Sequence, residues 1–169
     1  MLDPKLLRSV MGQFATGVTV VTFVADGQPA GMTANAFMSV SLDPPLVLIS
    51  IRNQSRFNEW VKKGVCYGIN FLADSQRSLS AHFGGRPEAD IELPFSFHQD
   101  TPLLDGSLVH LVARTVDIHP AGDHLLYIGE IEHVRLGAQR KPLLFFSGRY
   151  HQVHARAPSA EWRGCVECW

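Results

Sequence analysis

Gly31-Met32-Thr33-Ala34-Asn35-Ala36-Phe37-Met38-Ser39-Val40-Ser41-Leu42-Asp43-Pro44-Pro45 is a polar, small-residue segment lodged between apolar strands. Just upstream, Gly17-Val18-Thr19-Val20-Val21-Thr22-Phe23-Val24 is rich in β-branched residues and predicts a strand, and Asp26-Gly27 marks a turn. The chain therefore starts its β structure with a hairpin. Downstream, Asp43-Pro44-Pro45 is a break. The run Leu46-Val47-Leu48-Ile49-Ser50-Ile51 then predicts a strand buried on both faces.

Further along the chain, strands continue to outnumber helices. Asp3 and Pro4 cap and open a first helix with Leu6, Leu7, Val10 and Met11 on one face. Ser55 can cap a second helix through Trp60 and Val61, ended at Gly64. Cys66 to Phe71 reads as a strand, and Asp74 or Ser75 can cap a helix running to about His82. A loop-rich segment follows from Gly84-Gly85 to about Asp105. Two long strands come next, Leu108–Ile118 and Leu125–Val134, then a short one at Leu143–Phe146. Short helices among longer strands predict a mainly β fold, a closed or nearly closed barrel with peripheral helices.

Composition narrows the function classes. The 169 residues fit one domain with an ordinary core. A net charge of −1 gives no electrostatic reason to expect nucleic acid or an anionic membrane as partner, so any bound phosphate must be held by local donors. Residues 1–15 lack the apolar stretch of a secretory signal, and no run approaches the roughly 18 apolar residues of a membrane span. Three cysteines, Cys66, Cys165 and Cys168, fit a reducing cytoplasm. Gly-x-Gly-x-x-Gly after a strand, Gly-x-x-x-x-Gly-Lys, His-Glu-x-x-His and Gly-x-Ser-x-Gly are all missing, which removes the usual Rossmann, kinase and hydrolase readings.

Small residues in the 31–45 segment let a flat ligand approach the backbone. Thr33, Asn35, Ser39 and Ser41 supply hydroxyl and amide groups for a ring edge or a polyol chain. By composition alone the same segment also reads as a polar edge strand with turn residues.

The segment running from Thr33-Ala34-Asn35-Ala36-Phe37 into Ser39-Val40-Ser41-Leu42-Asp43-Pro44-Pro45-Leu46-Val47 resembles the signature of the flavin reductase-like domain family. Three later blocks resemble the same family in order. They are Ile69 to Phe83, then Gly122-Asp123-His124 with Tyr127 to Ile131, then Pro142 to Tyr150. The resemblance covers about residues 5–152. It implies an FMN-binding type of split β-barrel working as a homodimer, here residues 1–153, with 154–169 as a tail. It also implies FMN or FAD as flavin, NADH or NADPH as hydride donor, and a separate oxygenase that receives reduced flavin. A flavoprotein that keeps its flavin as an electron carrier or oxidase, and a dimeric binding module without catalysis, stand as alternatives.

By position, the resemblance implies that Thr33, Ala34, Asn35 and Ala36 flank the isoalloxazine and ribityl chain, with Ser39, Val40 and Ser41 offering backbone and hydroxyl contacts. Ser50, Arg52, Asn53 and Ser55 match the place of the flavin phosphate. A guanidinium fork, an amide and a hydroxyl at a helix start suit that task. Asn70, Phe71, Leu72 and Ala73 would run beside the ring, mostly through backbone groups, with His82 and Phe83 at the following helix end. Arg149 and Tyr150 match a position near the flavin or the partner subunit. His124 would sit beside the nicotinamide and favour one ring orientation. No catalytic nucleophile is expected, because the cofactors carry the chemistry and the protein holds them in register. Cys165 and Cys168 form a Cys-x-x-Cys outside the family pattern. Two thiolates are half a structural zinc site, and no spacing rule adds His151 and His154, so no metal is expected.

Overall fold

In this computed structural model, which describes residues 2–154 apart from Glu88 and Gln139, β structure dominates. Helix α1 (Pro4–Met11) begins as its sequence predicts: the Asp3 carboxylate accepts from the Lys5 N–H at 2.9 Å. Then come β1 (Thr16–Gly17), β2 (Thr19–Ala25), β3 (Gln28–Ala34), β4 (Phe37–Leu42), β5 (Pro45–Arg52), α2 (Phe57–Trp60) and β6 (Cys66–Phe71). A 3-10 turn (Asp74–Gln76) leads into α3 (Arg77–Phe83). The chain continues through β7 (Phe95–His98), β8 (Thr101–Leu104), β9 (Val109–Ala121), β10 (His124–Leu136), β11 (Leu143–Phe146) and β12 (Arg149–Gln152).

Seven strands form one sheet in the order β3-β2-β6-β9-β10-β5-β4, antiparallel at every pairing. No ladder joins β3 to β4 among the described residues, so the expected closure of the barrel is not seen as continuous strand pairing. A single backbone bond from Ser50 N–H to the Ala36 carbonyl (3.1 Å) links β5 to the chain between those two edges. The core lies inside the curl of this sheet. Phe57 is its centre, in edge contact with Phe23, Tyr67 and Tyr127 at 5.0–5.6 Å between ring centroids. A second cluster joins Val18, Val20, Leu72, Leu104 and Leu143 under α3 and β11.

Several expectations change in detail. The apolar run in β5 is buried on one face only. Val47, Ile49 and Ile51 are in the core while Leu46, Leu48 and Ser50 are half-exposed, as the period-2 pleat of an antiparallel sheet dictates. Helix α2 is a single turn, with Val61 already extended. Neither Asp74 nor Ser75 caps the next element; instead the Gln76 side chain reaches back to the Ala73 N–H (3.0 Å). The segment read as loop contains the hairpin β7–β8, whose second strand is wholly buried. Its strands are four residues each and carry a proline, too short to give a periodic signal. The two long strands run as β9 and β10, both longer than predicted. After β11, the positive φ values of Ser147 and Gly148 turn the chain into β12, which the sequence did not signal.

Candidate functional site

The end of β3 and the two residues that follow it form one wall of the candidate site. Met32, Thr33, Ala34, Asn35 and Ala36 edge a cleft of about 610 Å³, the size of an ordinary cofactor site. Opposite them stand Ser50 and Arg52 from the end of β5, Gln54 and Ser55 from the next turn, and Phe83 and Gly84 from the end of α3. His124, the first residue of β10, closes the rim. No acidic side chain lines the cleft, and Arg52 brings a fixed positive charge.

Local packing holds this wall in place. Thr33 Oγ1 donates to the Ser80 carbonyl at 2.7 Å, tying β3 to α3. A Cβ on Gly31 would lie 3.0 Å from the Phe83 ring, so any other residue there would push that ring a few tenths of an ångström off β3. Ser55 Oγ accepts from the Phe57 N–H (3.3 Å) and contacts Met32 Sδ (3.3 Å). It thus starts α2 and lines the cleft at once. Since α2 is only four residues long, anion affinity here rests on Arg52 and the hydroxyls more than on a helix dipole.

His124 lies opposite Arg52 in the β5–β10 register. Its Nδ1 is 2.7 Å from the Asp123 carboxylate. The bond and the charge of His124 hold the Asp123 carboxyl below the usual carboxylate range. An ionised carboxylate only accepts, so Nδ1 carries the proton and Nε2 is left as the free ring nitrogen. Because the Asp123 pKa is depressed, this pairing persists above the ordinary carboxylate range and is lost only as pH falls through the depressed value.

Other residues singled out in the sequence lie elsewhere. Ser39, Val40 and Ser41 sit on β4, around the register shift opposite β5, outside the cleft lining. Asn53 donates from Nδ2 to the Gly122 carbonyl (3.2 Å) and from its N–H to the Asp123 carbonyl (3.0 Å), so it braces the hairpin that carries His124. Asn70 is fully buried, with its amide spent on the backbone of Val20 and Leu104 and on Thr22. Phe71 and Leu72 line a second, mainly apolar cavity of about 280 Å³ with Phe37 and Leu108. It meets the main cleft at Asn35, which lines both. Ala73 is buried. His82 packs edge-on to Phe83 at 5.1 Å, and its Nδ1 is buried without a partner. Arg149 is exposed on β12. Tyr150 bonds Ser80 through its hydroxyl (2.9 Å) and stands behind α3. Met32, Gln54 and Gly84 line the cleft but were missed. Gln54 had a signal, lying between Arg52 and Ser55, whereas Met32 and Gly84 had none. Among the described residues no group of three His, Cys, Asp or Glu could hold a metal ion. Cys165 and Cys168 lie outside the described residues. No helix of the described residues is long and apolar enough to cross a membrane.

With this geometry in view, comparison with known proteins is specific. The family described as flavin reductase like domain matches residues 11–154. An NADH-dependent flavin reductase of a Rhodococcus species is 39% identical over 168 residues, 95% of this chain and 95% of the relative. The reductase subunit HsaB of a flavin-dependent monooxygenase from Rhodococcus jostii (strain RHA1) is 33% identical, over 99% of this chain and 88% of the relative. Among solved structures, the NADH:FAD oxidoreductase SgcE6 of Streptomyces globisporus C-1027, in complex with NAD and FAD fragments, superposes with a TM-score of 0.81. It is 32% identical and covers 95% of this chain and 99% of its own.

Proposed function

This chain belongs to the flavin reductase like domain family, and from that premise we propose that it is a flavin reductase, oxidising NADH or NADPH to reduce FMN or FAD for a separate monooxygenase. The observation that carries the reading is the cleft itself, where a small-residue wall (Thr33 to Ala36), a guanidinium (Arg52) and an oriented imidazole (His124) converge. The residues fit the group. Ala34 and Ala36 let a flat ring approach, Thr33 and Ser50 offer polar contacts for the polyol chain, and Arg52 with Ser55 takes the phosphate. When bound, the nicotinamide supplies a hydride and the flavin accepts it. His124 positions the nicotinamide with the Nε2 side of its ring, and Phe83 shields the far end of the cleft from water.

Steady-state oxidation of NADH and NADPH with each flavin in turn tests this reading. A protein that oxidises nicotinamide only when flavin is added is a reductase. One that stays yellow through gel filtration and transfers no hydride to added flavin is an electron carrier or oxidase. The relatives are named as reductases, which favours the first outcome. His124→Ala is expected to raise the KM for NADH by about fivefold, the worth of one lost contact, with flavin KM unchanged. Unchanged NADH kinetics would make His124 ordinary hairpin surface.

The finer architecture is proposed on the same footing. The unpaired edges β3 and β4 read as the seam of a split barrel spanning residues 1–153, in a cytoplasmic protein. Helix α1 buries none of its residues and leaves Leu6, Leu7, Val10 and Met11 exposed; Phe14 just beyond is 78% exposed. Met38, Val40 and Leu42 on β4 are exposed as well. So many exposed large apolar side chains fit a second copy of the chain. Sedimentation equilibrium is expected to give twice the 18.7 kDa chain mass; a monomer at micromolar concentration would remove the dimer.

A further inference from the structure

Helix α3 has two sides. Its end, Phe83-Gly84, lines the main cleft, while Ser78, Ala81 and, just past the helix, Arg86 line a groove of about 540 Å³ on the other side with Arg77 and Tyr150. Resting on the reductase reading above, we propose that this second groove takes the phosphate-bearing adenosine half of a dinucleotide whose ring lies in the main cleft.

Four observations carry it. First, two guanidiniums edge the groove, and among the described residues no acidic side chain lines it and neither arginine forms a salt bridge. Second, the Arg77 cation and the backbone that carries Arg86 are held in place. The Arg77 guanidinium lies 5.4 Å over the Tyr150 ring, and Tyr150 is fixed by its 2.9 Å bond to Ser80. Arg86 leaves the helix through a closed C-terminal turn, its N–H on the Ala81 carbonyl (3.0 Å) and the Gly85 N–H on the His82 carbonyl (3.3 Å). Gly85 has φ +89°, which its lack of a side chain permits. Third, the groove is wired to the main cleft. Ser80 accepts from Thr33 through its carbonyl and meets Tyr150 through its hydroxyl, so one residue joins the two walls. Fourth, the seven residues of α3 span only about 9 Å along the axis, within reach of a pyrophosphate-linked dinucleotide. Another pair of cations, Lys5 and Arg8, edges a hollow beside α1 with Ser147 and Gly148, but that hollow shares no residue with the main cleft.

The adenosine phosphates of NAD(P)H and of FAD present the same chemistry, and truncated partners separate them. Wild type, Arg86→Ala, Arg86→Lys and Arg77→Gln are assayed with NADH or reduced nicotinamide mononucleotide as donor and FAD or FMN as acceptor. Arg86→Ala is expected to raise one KM ratio, NADH over the mononucleotide or FAD over FMN, by about fivefold, with Arg86→Lys recovering most of it. A shift on the donor side assigns the groove to the nicotinamide dinucleotide, and on the acceptor side to FAD; either supports the proposal. Ratios that stay within about twofold in both arginine deletions overturn it. So does an equal rise for full and truncated partners, which would mean a distortion of the shared cleft. A wild type that oxidises neither donor with either flavin overturns the reductase reading itself; an active wild type with unmoved ratios overturns the groove alone.

Discussion

Replacing Arg52 by alanine is expected to weaken flavin binding by about ten- to a hundredfold while leaving kcat at saturating flavin close to that of the wild type. The guanidinium stands at the last position of β5, opposite His124, in a cleft with no acidic side chain. It forms no salt bridge among the described residues, although Asp123 feels its charge, so the guanidinium is available to the ligand. Hydrogen bonds between charged groups are worth about 1.5–3 kcal/mol, which sets the size of the effect. A phosphate contact distant from the reacting ring stabilises bound ground state and transition state alike, so KM moves and kcat does not. Fluorescence quenching of FMN gives the affinity directly. Arg56→Ala serves as the comparison, since Arg56 pairs with Asp26 at 3.6 Å on the exposed surface and such pairs contribute little. If Arg52→Ala binds FMN as the wild type does, the phosphate lies elsewhere.

Asn70→Ala is expected to cost about 3–5 kcal/mol of stability and to lower Tm by roughly 10 °C or more, with no specific loss of flavin affinity in the protein that remains folded. The side chain is 0% exposed. Its Nδ2 donates to the Val20 carbonyl (2.9 Å) and to Thr22 Oγ1 (3.1 Å), and its Oδ1 accepts from the Leu104 N–H (2.8 Å). Those three bonds fasten β8 and its hairpin to β6 and β2. Alanine would take the side-chain partner from the buried Leu104 N–H and from the Val20 carbonyl and leave a cavity as well. Thermal melts followed by circular dichroism, beside a flavin titration at low temperature, separate the two roles. A protein that melts as the wild type but no longer binds flavin would make Asn70 a ligand group.

Asn70 also shows where sequence reasoning and structure part. Its position beside Phe71 matches the family's flavin-side block, where contact was expected mostly through backbone groups; the structure adds that its side chain points into the core. Asn53 is similar: it lies between Arg52 and Ser55 yet spends its amide on the turn that carries His124. Thr33, Ser50, Arg52, Ser55 and His124, by contrast, come from separate stretches of sequence and meet in one cleft. The β7–β8 hairpin and β12 were illegible for a plain reason. Four-residue strands are held by neighbours such as Thr22 and Asn70, not by a pattern of their own.

Taken alone, the order of residues determined the class of fold and the chemistry. Small residues between β-branched runs predict a β wall that admits a flat ligand or serves as a polar edge strand, and the four ordered blocks that resemble one family choose the first. Tertiary structure alone decided which side chains share a cavity. That choice depends on strand register and on which face of each pleat is buried, and both are set by contacts between residues far apart in the chain. Register put His124 opposite Arg52, and burial turned Asn70 inward; helix α3, packed between β3 and Tyr150, divided one surface into two grooves.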